Sequence, residues 1–134
     1  MRAREGISAA TTWLGIVLVS AERGEAVLTM ATRPEMTNRQ DVVHGGFIAA
    51  LADTAMGWAL SSTLPDGERH YSFDLKLSFI AAARIGEGLR AVARVLHRGH
   101  RTGVADCRVV GEEGRLVATA TASFFIRQQV GNNE

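Results

Sequence analysis

A long apolar segment, residues 43–60, has two adjacent glycines near its start and a single carboxylate, Asp53, in its middle. Its composition predicts one helix that is apolar on every side, and such a helix is expected to be buried on every side. An ionised Asp53 is costly in that setting unless it is paired or faces a polar pocket. The rest of the chain is therefore expected to wrap around this helix while giving Asp53 a polar environment.

The start of the helix offers backbone donors close to a possible ligand. Gly45 and Gly46 leave N–H groups uncovered where the helix dipole favours an anion or a developing oxyanion. Asp53 follows Gly45 by eight residues, which is about 12 Å along a helix. One small reacting group cannot reach both residues in one chain. If both act, Gly45 of one subunit must meet Asp53 of another, which predicts an obligate dimer with two composite sites.

Structural alternatives exist for both features. The two glycines would also be required by a tight turn into the helix. Asp53 would also be satisfied by a hydrogen bond to a buried hydroxyl or backbone group.

Composition favours one globular domain over residues 1–134, since 46% of the residues are hydrophobic and 22% are charged. The net charge of +1 gives no reason to expect nucleic acid or an anionic membrane as a partner. The lone Cys107 is expected in the core of a protein from a reducing cytoplasm. Arg2 and Arg4 before an apolar run faintly resemble a secretory signal, but Glu5 and a threonine pair interrupt that pattern. A cytoplasmic location is therefore expected.

Alternation of apolar residues between turn signals predicts six strands. The first two, residues 13–20 and 26–32, form a hairpin before the helix. Four more follow it, over residues 71–80, 89–97, 103–110 and 115–127. The third strand alternates without interruption, with apolar side chains at its odd-numbered positions and polar ones at most even-numbered positions. Together these elements predict an α+β fold, with a curved antiparallel sheet around one long central helix.

These features together resemble the hotdog fold, and within it the phenylacetate-degradation (PaaI-like) acyl-CoA thioesterases. The resemblance covers nearly the whole chain and rests on Asn38, His44-Gly45-Gly46, Leu51-Ala52-Asp53-Thr54-Ala55, Phe79…Gly86, Arg101-Thr102-Gly103 and the final Ala-Thr-Ala-Ser-Phe-Phe strand. Residues 81–83 are alanines where family members often carry a proline. The residue patterns of hotdog hydratases and dehydratases are absent, which argues against water addition or elimination.

The resemblance implies hydrolysis of an aromatic or medium-length acyl-CoA to the free acid and CoA. It assigns carbonyl polarisation to the Gly45 amide, and attack to Asp53 as general base or as nucleophile. Asn38 and His44 are expected to hold the loop and the thioester. Further substrate contacts are expected from Gly46, Ser72, Arg101 and Thr102.

Each of these assignments has a plainer alternative. Asn38 and His44 would also serve as a loop cap and a helix-start residue. Ser72 would also be a polar position on an alternating strand, and Arg101 a solvated surface residue. His70 is interpreted as a solvated residue after a turn.

No metal or redox cofactor is expected, because His97 and His100 only bracket a turn without a nearby cysteine or carboxylate. The resemblance predicts a homodimer at least, and a homotetramer built from two dimers. The alternative function is a non-catalytic acyl-CoA-binding or sensing module. The presence of Asp53 counts against that alternative.

Overall fold

The computed structural model describes residues 8–128. The elements in chain order are α1 (Ala9–Leu14), β1 (Ile16–Glu22), β2 (Glu25–Ala31), α2 (Gly45–Ser61), β3 (Arg69–Phe79), β4 (Gly88–Arg98), β5 (Thr102–Val110) and β6 (Leu116–Arg127). Arg2, Arg4 and Glu5, on which the comparison with a secretory signal rests, lie outside the described residues.

The strands form one six-stranded sheet in the order β1-β2-β4-β5-β6-β3, with every neighbouring pair antiparallel. Helix α2 contacts all six strands. Leu51, Met56 and Leu60 of α2 are fully buried against strand residues such as Leu28 and Phe124. The predicted α+β architecture is therefore confirmed. Within residues 8–128, no helix is both long and apolar enough to cross a membrane.

Helix α2 is buried on one side only, which corrects the prediction of burial on every side. The side that packs on the sheet is inaccessible to solvent, whereas Asp53, Thr54, Trp58 and Ser61 on another side are only half-buried. The start of β3 borders that second side but leaves a cleft open along it. Asp53 consequently lies at an open edge of the core, where water or a ligand can solvate its carboxylate.

The first predicted strand begins too early, because Trp13 lies in helix α1. The side chain of Ser8 accepts a hydrogen bond from the Thr11 N–H at the start of α1, and Gly15 ends the helix in the left-handed region at φ +76°. The Arg33 guanidinium donates to the carbonyls of Leu14 at 3.1 Å and Trp13 at 3.0 Å. These caps at both ends explain why six residues with strand-like composition form a helix.

A bulge in β3 interrupts the predicted alternation of that strand. Its register against β6 shifts between residues 72 and 74, so Phe73 is an extra residue. Before the bulge, Ser72 lies opposite the buried Phe124, and after it Leu75 also lies opposite a buried residue of β6. Ser72 and Leu75 therefore both face α2. Tyr71 lies opposite an exposed residue of β6, on the outer face of the sheet.

Candidate active site

The loop before α2 is organised by two of the predicted site residues. The Asn38 Oδ1 accepts hydrogen bonds from the backbone N–H groups of Gln40 at 2.9 Å and Val42 at 3.2 Å. His44 is the N-cap of α2, and its Nδ1 accepts from the Gly46 N–H at 2.9 Å. These contacts match the plainer roles of loop cap and helix-start residue. An Nδ1 that accepts requires the proton of a neutral ring to be on Nε2.

The Gly45 amide remains available at the mouth of the helix. Within residues 8–128, the Gly45 N–H has no protein acceptor, whereas the Gly46 N–H is taken by His44. The ring of Phe79 packs against the Gly45 Cα, and a Cβ at Gly45 would lie 2.6 Å from the Phe79 Cζ. A side chain at position 45 would therefore displace the half-exposed Phe79 ring. The Gly45 N–H is therefore free to donate to an oxygen atom at the helix start, and the Phe79 ring lies on one side of this position.

Asp53 faces the open side of α2, where Ser72 of β3 reaches it. Burial raises the pKa of the Asp53 carboxyl above its ordinary value, and the nearby Ser72 hydroxyl opposes part of that rise. Asp53 is thus a half-buried carboxylate, and within residues 8–128 no cationic side chain shifts its pKa. Such a group has an elevated proton affinity, which suits a general base.

A cleft of about 1210 Å³ runs along this side of α2 and includes Asp53, Trp58, Ser61, His70, Ser72 and Phe124 in its lining. His70 is half-buried in it, which corrects its interpretation as a solvated residue. Its Nε2 lies 2.8 Å from the Ser61 Oγ, and its ring stands edge-on to Phe124. Burial lowers the pKa of His70. No pattern in the sequence predicts this arrangement, because it depends on the bulge in β3.

Two predicted substrate-binding residues lie elsewhere. Arg101 and Thr102 are at the β4–β5 turn and do not line the cleft. The neighbouring Gly103 packs on Leu60, near the C-terminal end of α2 and far from Gly45. Cys107 is buried in β5 as predicted, and burial is the main cause that raises its pKa to about 12, so the thiol is unreactive at neutral pH.

The family model for the thioesterase superfamily matches residues 40–118, a range that contains both Gly45 and Asp53. The chain belongs to the thioesterase superfamily. Its sheet and long helix are the hotdog fold of this superfamily, and the chain is a thioester hydrolase.

This thioesterase is similar to the acyl-coenzyme A thioesterase PaaI of Escherichia coli, with 35% identity over 105 residues that cover 78% of this chain and 73% of PaaI. The structure of conserved protein PA5202 from Pseudomonas aeruginosa matches with a TM-score of 0.88 and 34% identity, over 94% of this chain and 100% of that one. The structure of smu.793 from Streptococcus mutans, bound to acetyl CoA, matches with a TM-score of 0.79 and 26% identity, over 87% of this chain and 91% of that one. The predicted PaaI-like resemblance is confirmed.

Proposed function

We propose that this thioesterase hydrolyses aromatic or medium-length acyl-CoA thioesters at a site shared by two subunits. The Gly45 amide of one subunit polarises the thioester carbonyl, and Asp53 of the other drives the attack. The observation that carries the proposal is that one helix holds both groups. Its first residue, Gly45, has a free N–H, and the same helix presents the half-buried Asp53, whose pKa is raised, to the cleft.

The separation of these two groups supports the shared site. Gly45 is the first residue of α2 and Asp53 lies eight residues later on the same helix, about 12 Å along its axis. A thioester carbon within bonding distance of an attacking oxygen at Asp53 cannot also place its carbonyl oxygen on the Gly45 amide of that chain. A second copy related by two-fold symmetry would bring the missing half to each site.

The edge strand β3 supports the second copy. One edge of β3 has no neighbour among the described strands, and Tyr71, Phe73, Leu75 and Phe79 along it are between 40% and 58% exposed. A long apolar edge strand is a template for pairing with another chain. We propose a homodimer joined along β3 as the minimal active unit, and a tetramer of two such dimers.

Replacing Leu75 with arginine is expected to weaken this dimer about 100-fold, since a charge would enter a contact centred on apolar side chains. Sedimentation at decreasing protein concentration would measure the change, with activity falling as dimers dissociate. The matched control is Val17→Arg on the opposite edge strand, where the side chain is 58% exposed. A Leu75→Arg protein that dimerises like the wild type would contradict pairing along β3.

The attack itself has two routes, and both use an ionised Asp53. The carboxylate either accepts a proton from a water molecule that attacks the thioester carbon, or attacks that carbon directly to give an acyl anhydride. In the first route the protonated Asp53 gives its proton to the departing CoA thiolate, and the acyl group leaves as a carboxylic acid. In the second route the CoA thiolate takes a proton from water, and a second water hydrolyses the anhydride to the carboxylic acid and free Asp53. Ser72 supports either route because its hydroxyl favours the ionised form of the Asp53 carboxyl.

Ser72→Ala is expected to shift the acidic limb of the kcat profile to higher pH. Activity requires ionised Asp53, so it falls as the pH drops through the pKa of that carboxyl. The Ser72 hydroxyl lowers this pKa against the effect of burial, and its loss would raise the pKa further. Ser78→Ala, on the outer face of the same strand, is the control. An acidic limb that stays in place or moves to lower pH would contradict the assigned role of Ser72.

CoA recognition is proposed by analogy with the acetyl-CoA complex of the Streptococcus mutans relative. Arg101 and Thr102 remain our candidates for contacts with the CoA phosphates, because a guanidinium at an exposed turn suits a phosphate. Their distance from the cleft of their own chain is compatible with CoA lying across the subunit boundary.

The experiment that tests the proposed function is thiol release from a panel of acyl-CoAs. The panel runs from phenylacetyl-CoA and benzoyl-CoA to short and long straight-chain esters, and CoA-ester binding is measured in parallel. Turnover highest on aromatic or medium-length esters is the expected result. Tight binding without turnover on every ester would instead assign the chain to the acyl-CoA-binding modules.

A further inference from the structure

A buried ion pair lies outside the cleft, at the end of the sheet near the start of α2. The Glu87 side chain is 2% exposed, and its carboxylate lies 2.6 and 2.8 Å from the Arg115 Nη2. The same carboxylate accepts hydrogen bonds from the backbone N–H groups of Arg84 at 2.9 Å and Glu112 at 2.8 Å. Burial raises the pKa of Glu87, but these hydrogen bonds and the Arg115 charge outweigh it, so the pKa lies below its ordinary value.

This pair binds the loop between β3 and β4 on both sides of one residue, Ala83. The Arg115 Nη1 donates to the Ala82 carbonyl at 2.7 Å, and the Glu87 carboxylate accepts from the Arg84 N–H. The surroundings are closed around the carboxylate, since a Cβ at Gly111 would overlap the Glu87 side chain. The peptide groups before and after Ala83 are therefore fixed by one buried carboxylate and one guanidinium.

The fixed loop touches the Gly45 end of the site at two points. The Ala83 carbonyl accepts a hydrogen bond from the Val43 N–H at 2.9 Å, two residues before Gly45, and both Ala83 and Val43 are buried. The loop begins directly after Phe79, whose ring packs against the Gly45 Cα. The position of the Gly45 amide is thus set from one side by a backbone hydrogen bond from this loop, and from another by the aromatic ring of Phe79, the strand residue directly before the loop.

We propose that Glu87 and Arg115 are positioning residues for the carbonyl-polarising amide of Gly45, acting through Ala83 and Val43. The inference rests on the proposed function, because it assigns a role in the reaction only if Gly45 holds the carbonyl. A buried ion pair adds little net stability over an apolar pair of the same size, since desolvation offsets its attraction. Its effect in this place is geometric, as it holds one loop conformation against the helix start.

The proposal separates the two halves of the shared site. Glu87 acts on Gly45 of its own chain, whereas Asp53 of that chain serves the other site of the dimer. A variant at Glu87 should therefore damage only the half-site that contains its own Gly45. A merely structural role would weaken both half-sites contributed by the altered chain.

Glu87→Gln is the first test, because glutamine keeps the volume but turns an N–H₂ group toward a donor. We expect kcat to fall about tenfold through displacement of the amide, with KM within about twofold of the wild type. Asp106→Asn, in the outer-face pair with Arg94 at 3.3 Å, is the matched carboxylate-to-amide control. If Glu87→Gln fails to fold, Arg115→Lys keeps a cation beside Glu87 but cannot reach both Glu87 and the Ala82 carbonyl. An unchanged kcat in a folded variant of either kind overturns the proposal.

Mixed dimers with two different tags give the decisive readout. A Glu87→Gln chain paired with an Asp53→Asn chain contains one site with an intact Gly45 half and an intact Asp53, so about half of the wild-type activity is expected. A wild-type chain paired with a chain carrying both substitutions contains no intact site. Its expected activity is about tenfold lower than that of the first mixed dimer. Equal activity of the two mixed dimers overturns the positioning role.

A third mixed dimer separates this outcome from failure of the proposed function. Asp53→Asn paired with Gly45→Ala tests the shared site without any change at Glu87. If this pair recovers activity while the two Glu87 dimers are equal, only the positioning role is wrong. If this mixed dimer recovers no activity, the proposed shared site is wrong, and the proposed role of Glu87 is then wrong as well.

Discussion

Asp53→Asn is expected to lower kcat for acyl-CoA hydrolysis by about 1000-fold, because an amide neither accepts the proton of an attacking water nor attacks the thioester. Binding of the acyl-CoA should remain, since asparagine keeps the size and shape of the side chain. Thiol release under single-turnover conditions and calorimetric binding of CoA ester measure the two effects separately. A folded Asp53→Asn protein that keeps kcat within tenfold of the wild type would remove Asp53 from the reaction.

The same substitution is expected to stabilise the protein. The pKa of Asp53 is raised in the native state above its ordinary value, so folding favours the protonated carboxyl. Its contribution to stability is present below the unfolded-state pKa and is lost as pH rises through the higher native-state pKa. At neutral pH the ionised group therefore costs stability, and asparagine removes that cost. A thermal midpoint at pH 7 that is equal to or above the wild type is expected, with Asp106→Asn, whose carboxylate pairs with Arg94, as the control.

Gly45→Ala is expected to lower kcat by about 100-fold, because the added methyl group would lie 2.6 Å from the Phe79 Cζ. The clash must displace the ring, the helix start or both, and a misplaced oxyanion donor costs two to three orders of magnitude in comparable enzymes. The control is Gly88→Ala, where a Cβ would meet nothing within 4 Å. Full activity of folded Gly45→Ala would contradict the assignment of this amide to the carbonyl.

Combining the two inactive proteins gives the sharper result. A mixed dimer of one Asp53→Asn chain and one Gly45→Ala chain contains one site in which both groups are native, and about half of the wild-type activity is expected. If each site lay within one chain, both sites of this dimer would be damaged and no recovery would occur. Purification through two different tags and an assay of the isolated mixed dimer distinguish the two arrangements.

The sequence predicts the framework of this protein well. The helix is predicted at residues 43–60 and observed at Gly45–Ser61, and the four strands after it are predicted within about two residues of their ends. These elements have strong period-two or uniformly apolar patterns that local physics dictates. The wrong prediction of a strand from residue 13 has a local cause as well. Ser8 and Gly15 cap a helix within a segment whose composition also suits a strand.

The candidate site is predicted less completely, because its geometry depends on contacts between distant residues. Asp53, Gly45, His44 and Asn38 could be singled out from one continuous stretch of sequence. The packing of Phe79 on Gly45 and the pairing of Glu87 with Arg115 join residues 34 and 28 positions apart. Neither contact leaves a spacing pattern in the sequence, and the position of His70 follows only from the shifted register of β3.

Because of the extra residue in β3, polar side chains face the helix in the first part of the strand and apolar side chains face it in the second part. Before Phe73 the side chains that face the helix have even numbers and include the polar His70 and Ser72, whereas after it they have odd numbers and include the apolar Leu75 and Phe79. The strand thus consists of two segments in which the alternation between the two faces is shifted by one residue. Substitutions at Leu75 or Phe79 leave Ser72 on the side of the strand that faces α2, so the apolar part of β3 can change in sequence while the polar part keeps its orientation.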